Sequence, residues 1–371
     1  MAGCNHSATQ MPASLWRELG LAGARWDNLA AQRTPGLLSS RRDASRCARL
    51  PSGHRAERCR GLPASGKKGE AVSAPITAKE GYVPFRGYRT WYRVVGRQEE
   101  SRKLPLLCLH GGPGFTWDSF EPLEALAAAG RQVVFYDQLG CGNSDVPPSP
   151  SIFTVALYLD ELVAVRGALG LGRVHLLGHS WGGMLAMEYA LTQPKGLASL
   201  ILADTGASVP QLTAEMRRLV AELPPEVRRA VEEHEAAGTT DSPEYEEACR
   251  AYSRRHGSRR IDPYPECLAR VAGKPGDDVY LALWGPSEWC VTGPLKDWDV
   301  SSRLGEIHVP TLVVGGRHDE ATPEVMETVH RGIPDSQWII FETSGHFPHL
   351  EETERYLEVL SGFLDRVEAN G

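Results

Sequence analysis

The chain has no apolar run near the roughly 18 residues that a membrane span needs, since stretches such as Leu200-Ile201-Leu202-Ala203 stop after a few residues. Its first 30 residues hold no continuous apolar segment of the kind a secretory leader requires. The eight cysteines include no Cys-x-x-Cys pair, and no histidine-rich cluster at metal spacing accompanies them, so a zinc site is not expected. Internal repeats are absent. The basic residues near the N-terminus lack aromatic interleaving, which argues against nucleic acid as a partner. With Cys108 in an expected buried strand, the cysteines read as free thiols of a soluble, cytoplasmic protein.

What is present is enough for a substantial core: 371 residues, 42% of them apolar. The net charge of −7 conceals an asymmetry, because residues 1–70 hold 12 Lys+Arg against 5 Asp+Glu, whereas the body is acidic. Residues 1–75 follow neither a helical nor a strand period and are rich in Arg, Ser, Ala, Gly and Pro, so they are expected to be a disordered or accessory extension. Two origins compete for this extension. It resembles a transit peptide in its arginines and serines but carries too many acids. Alternatively, Lys67-Lys68-Gly69-Glu70 can be encoded by a purine run like a ribosome-binding site, with Val72 read from a GTG start.

From Gly81 the pattern changes to an expected β-hairpin, with Tyr82, Phe85, Tyr88, Trp91 and Val94 spread over two segments around Arg86-Gly87. Apolar strands then recur at 104–109, 132–136, 174–177, 200–202, 311–314 and 338–341, with helical stretches between most of them. That alternation predicts an α/β fold with a mostly parallel sheet flanked by helices, built from residues 76–206 and 301–371. Between 207 and 300 the strand rhythm stops, and Leu212, Met216, Leu219, Val220 and Leu223 recur at helical spacing. A helical cap inserted after the sixth strand is expected there, over the sheet edge where ligands bind in open α/β sheets.

The strongest chemical signal is Gly178-His179-Ser180-Trp181-Gly182, preceded by the apolar Val174 to Leu177 and followed by a helical stretch from Met184. The glycines permit a sharp strand-to-helix turn that projects the Ser180 hydroxyl. A serine hydroxyl is a poor nucleophile at neutral pH and needs a base held by a carboxylate. Asp319 and His346, each just after an expected strand, supply these in the order Ser, Asp, His of an α/β-hydrolase fold. His318 and His349 compete for the base role, and His179 flanks the serine, but packing or support of the turn is the expected part of each. Asp137 and Asp145 read as turn and cap residues. His110-Gly111-Gly112-Pro113-Gly114 follows the first parallel strand, so the backbone N–H groups of Gly112 and Trp181 are the expected oxyanion donors.

Taken together, the His110–Gly114 loop, Asp137-Gln138-Leu139-Gly140-Cys141-Gly142-Asn143-Ser144, the elbow, and the Asp319 and His346 segments resemble the proline iminopeptidases, serine aminopeptidases that include amino-acid amide hydrolases. The likeness spans residues 80 to 370 and extends to Trp284-Gly285-Pro286-Ser287-Glu288-Trp289. It implies that Glu288 and Glu320 hold the free α-amino group of a substrate, and burying an ammonium does need paired carboxylates. Trp284 and Trp289 either wall that pocket or fill the cap's own core.

The expected function is therefore release of an N-terminal residue, preferentially proline, from a small peptide or amide with a free N-terminus, through an acyl-enzyme and without metal or organic cofactor. The alternatives are a hydrolase of amino-acid amides, esters or a natural product, and a non-catalytic binding protein on the same fold. Neither nucleic acid nor membrane is an expected partner. The oligomeric state is open.

Overall fold

The computed structural model describes residues 77–97, 102–259 and 265–371. The expectations for residues 1–75, including the start at Val72, lie outside them. Eight strands form one sheet in the order β1-β2-β4-β3-β5-β6-β7-β8. The hairpin β1 (Ala78–Phe85) and β2 (Tyr88–Val95) is antiparallel and joins β4 (Val133–Tyr136) antiparallel. All other pairings are parallel: β3 (Leu106–Leu109), β5 (Val174–His179), β6 (Leu197–Ala203), β7 (Thr311–Gly316) and β8 (Gln337–Phe341).

The continuous apolar runs of β3 to β7 follow from burial on both faces. Leu107, Leu176, Leu200 and Val313 point into one core with α1 (Val155–Ala168), α2 (Trp181–Leu191) and α8 (Pro323–Gly332). Their alternates Leu106, Leu177, Ile201 and Leu312 point into the other, where Tyr356, Leu360 and Phe363 of α10 (Thr353–Asn370) cover them. β3 starts two residues later than expected because Pro105 has no N–H to give, and the Leu104 N–H goes to Glu368 at 2.7 Å.

Between β6 and β7 lie α3 (Val209–Ala221), α4 (Pro225–Ala237), α5 (Pro243–His256), α6 (Glu266–Val271) and α7 (Asp277–Leu283). Ser208 and Ser242 cap α3 and α5 by accepting from Gln211 and Tyr245 N–H at 3.4 and 3.2 Å, and Pro224-Pro225 starts α4. Tyr245, Ala248, Cys249 and Tyr252 form the buried stripe of α5. A short helix, α9 (Pro348–Glu351), follows β8. No helix among the described residues is long and apolar enough to cross a membrane.

Candidate active site

Strand β5 ends at His179 and α2 begins at Trp181, leaving Ser180 alone at the turn with φ 53° and ψ −122°. Such a backbone costs a non-glycine residue about 1–3 kcal/mol and persists only when its surroundings impose it. Here the Ser180 N–H donates to the Ala203 carbonyl at 2.9 Å, and its carbonyl accepts from Gly183 N–H and Thr205 Oγ1, both at 2.8 Å. The elbow also presses on the end of β3, since a Cβ on Gly182 would lie 2.1 Å from the Leu109 carbonyl oxygen. A side chain there would push the turn off the sheet.

His346 follows β8 with its ring buried. Its Nδ1 stands 2.6 Å from Asp319 Oδ1, which also accepts from Ala321 N–H at 3.0 Å. The backbone of His346 is held at both ends: its N–H donates to Gly257 at 2.8 Å, and its carbonyl accepts from His179 Nε2 at 2.8 Å. That contact puts the His179 proton on Nε2, and burial with the His346 and His349 rings beside it keeps His179 well below the usual histidine range. His349 Nε2 donates to Ser119 at 3.1 Å, and burial pushes its pKa down to about 3. His318 accepts from His256 at its carbonyl. His179 and the two rivals, His318 and His349, thus have supporting contacts of their own.

Gly112 has φ +107°, and a Cβ there would lie 2.4 Å from Gly114 N, so the loop needs glycine at this point. Gly112 and Ser180 line the same pocket. Neither the Gly112 nor the Trp181 N–H is spent on a turn or cap bond to backbone among the described residues. The Trp181 ring and the His110-Gly111 segment before Gly112 share one network. Gln138 donates from its backbone to His110 Nε2 at 2.9 Å and from its amide to the His110 carbonyl at 3.0 Å, while accepting from Trp181 Nε1 at 2.8 Å. His110 Nδ1 then donates to Gly111 at 3.0 Å, and burial lowers this ring's pKa to about 4. The sequence reading had no part for His110 or Gln138 beyond the motifs they sit in.

Asp137 is a turn residue, as expected: it accepts from the N–H groups of Trp117 and Asn143, both at 2.8 Å. Asp145 pairs with Arg89.

The pocket is lined by Gly112, Phe115, Ser180, Tyr252, Trp289, His346, Phe347 and both Glu288 and Glu320. The two expected amine-binding acids therefore face one cavity with Ser180 and His346, while Asp319 sits behind His346. Glu320 Oε1 lies 3.7 Å from His346 Nε2. Burial pushes both glutamates upward, Glu320 further still because Glu288 is beside it. Burial works against a charged His346, but Asp319, Glu320 and Glu288 outweigh it and lift its pKa to about 9.

Trp289 lines the pocket and donates to Glu235 at 2.8 Å, whereas Trp284 faces an adjoining recess and donates to the Glu288 carbonyl at 3.2 Å. Each wall tryptophan is thus buried and anchored at once. Sequence reasoning missed Cys249, Tyr252 and Ser253 of α5, which close the same wall. Their spacing reads as an ordinary packing stripe.

Two groups, His179-Asp204-His349 and Asp204-Asp319-His346, bring potential metal-ligand atoms within 4.8 Å of one another. Their residues come from separate segments at or beyond the ends of different strands, so no sequence spacing announces them. His179 Nε2 and His346 Nδ1 are already committed to a carbonyl and a carboxylate, and these groups read as the buried underside of the Ser180 site.

A family model described as the alpha/beta hydrolase fold matches residues 105–353. The proline iminopeptidase of Clostridium botulinum is 42% identical over 289 residues, covering 77% of this chain and 98% of that protein. Among solved structures, that of VinJ is 44% identical with a TM-score of 0.75, covering 78% of this chain and 99% of its own. The proline iminopeptidase of Mycobacterium smegmatis is 39% identical with a TM-score of 0.73, covering 79% and 99%.

Proposed function

The chain belongs to the proline iminopeptidase family of the α/β-hydrolase fold, and from that membership we propose that it releases the N-terminal residue, preferentially proline, of small peptides or amides through Ser180, His346 and Asp319. One observation carries the reading. A single pocket holds Ser180, His346 and the carboxylate pair Glu288 and Glu320, with no lysine or arginine among the described residues that line it to neutralise the pair.

In this mechanism Nε2 of His346 takes the proton of Ser180 as the hydroxyl attacks the carbonyl of the first residue. Asp319 keeps the other ring nitrogen protonated and steadies the imidazolium that forms. The oxyanion is met by the N–H groups of Gly112 and Trp181, a donor pair fixed in advance by the His110–Gln138–Trp181 network. His346 then protonates the leaving amine, and water, activated by the same ring, hydrolyses the acyl-enzyme.

Glu288 and Glu320 bind the α-ammonium. Because that group sits one carbon from the scissile carbonyl, holding it limits the cut to the first residue. Phe115, Phe347 and Trp289 offer an apolar wall that suits a pyrrolidine ring.

The test is Ser180→Ala, which is expected to fold as the wild type, to lose at least about 10³-fold in kcat on L-prolyl-p-nitroanilide, and to escape labelling by a fluorophosphonate. Retained turnover would refute the assignment.

A further inference from the structure

We propose that Glu320 couples the amine site to the base: while no ammonium occupies the pocket, Glu320 holds His346 as an imidazolium, and the substrate's own α-ammonium frees Nε2 by taking over that carboxylate. The inference rests on the amine-reading role proposed above for Glu288 and Glu320.

The geometry starts from the two nitrogens of one ring. Nδ1 of His346 faces Asp319 Oδ1 at 2.6 Å, and Nε2, the nitrogen left to serve Ser180, has Glu320 Oε1 at 3.7 Å. Each ring nitrogen thus has a carboxylate in reach, an arrangement suited to a doubly protonated ring. Glu320 follows Asp319 directly in the chain, and the Ala321 N–H on Asp319 Oδ1 pins the segment that carries both. Glu320 is buried, so solvent screens this contact little.

Among the described residues, the remaining charged and titratable groups around His346 do not offer another cation. Glu288 faces it across the pocket, and Glu351 accepts from the neighbouring Gly345 N–H at 3.1 Å. Burial pushes the His179 and His349 rings away from the charged form, and it pushes the Asp204 carboxyl upward with help from the Asp319 carboxylate. With no lysine or arginine among the described residues of the pocket wall, the cluster is compensated either by protons or by an ammonium brought in by the substrate. Against burial, Asp319 and then Glu320 lift His346 to about 9, and His346 in turn draws Glu320 back down against the upward push of burial and Glu288.

The consequence is selection by activation. A substrate with a blocked amine meets a protonated base, so discrimination against it appears in the chemical step and not only in binding.

A fluorophosphonate that carries no amine separates the two. In its reaction the Ser180 Oγ–P bond forms, the P–F bond breaks to release fluoride, and neutral His346 takes the serine proton. Each unit removed from the His346 pKa gives about tenfold more neutral imidazole at pH 7. Glu320→Gln is therefore expected to label about tenfold faster than wild type while losing turnover of L-prolyl-p-nitroanilide. Methylammonium chloride is expected to speed labelling of the wild type, relative to sodium or tetramethylammonium chloride at equal ionic strength, and to leave Glu320→Gln unaffected.

If Glu320→Gln labels no faster and methylammonium has no effect, yet the variant loses its preference for a free over an acetylated amine, the coupling is wrong and the amine reading stands. If the variant keeps that preference, the amine reading itself fails. The methylammonium arm uses the wild-type protein and decides the question should the variant not fold.

Discussion

The backbone N–H of His346 donates to the carbonyl of Gly257 at 2.8 Å, tying the loop that carries the proposed base to the C-terminal end of α5 in the β6–β7 insertion. The same helix lines the pocket through Cys249, Tyr252 and Ser253, so one element both walls the substrate space and steadies the histidine.

That tie has a narrow tolerance. A Cβ on Gly345 would lie 2.4 Å from the Gly257 carbonyl oxygen and 3.0 Å from that of His256. Gly345→Ala is expected to shift the His346 loop and reduce kcat roughly 10- to 100-fold, as ångström-scale misplacement of a reacting group does, with a much smaller change in KM. Steady-state kinetics beside a melting curve check this. An unchanged kcat in a folded variant would remove the tie from the account.

Asp204 ends β6 at φ 52°, with one carboxyl oxygen accepting from Gly316 N–H at 3.2 Å and a wholly buried side chain. Burial and the adjacent Asp319 carboxylate push it well above the carboxylate range, a direction that favours the neutral acid. Asparagine is similarly neutral and tolerates this backbone. Asp204→Asn is expected to keep kcat/KM within about threefold and to leave the pH profile in place, whereas Asp204→Leu, which leaves the Gly316 N–H unpaired, loses tenfold or more. A drop of the acidic limb in Asp204→Asn would mean that the residue is ionised.

A stability test lies at Glu161 on α1, which is buried and accepts from Thr90 Oγ1 at 2.5 Å and Leu139 N–H at 3.0 Å. Burial lifts its pKa to about 8, against roughly 4.3 in an unfolded chain. The folded state therefore binds this proton more tightly, and the cost of burying the group grows as pH rises through that window and levels off above it. Glu161→Gln escapes the cost, so its stability relative to wild type is expected to improve from pH 5 to pH 8 by roughly 1–3 kcal/mol. Denaturant melts at both pH values check this, and a pH-independent difference contradicts it.

Much of this architecture could be read before the coordinates. Strands β3 to β7 are covered on both sides, so they appear as plain apolar runs, and the Gly-x-Ser-x-Gly turn between β5 and α2 stood out against them. Asp319 was picked out because it follows the apolar run of β7, and His346 because it follows the shorter β8. The α5 wall was hidden for the opposite reason, since Cys249 and Tyr252 share a stripe with the packing residues Tyr245 and Ala248. Helices α6 and α7, of 6 and 7 residues, are too short to show a period, and α6 instead docks by way of Arg270, which pairs with Asp118 at 3.0 Å. Nothing in the linear order indicated that Gln138 would bridge His110 and Trp181, or that Glu320 would stand opposite Nε2 of His346.

The central claim is that this enzyme reads a free amino terminus beside Ser180. It is tested most directly by the ratio of kcat/KM for L-prolyl-p-nitroanilide to that for its N-acetylated form, measured on the wild type and on Glu288→Gln. The account predicts a wild-type ratio above about 10², falling at least tenfold in the variant, because a buried carboxylate that pairs with a charged ligand carries several kcal/mol of discrimination. Equal or faster turnover of the acetylated substrate by the wild type would contradict it.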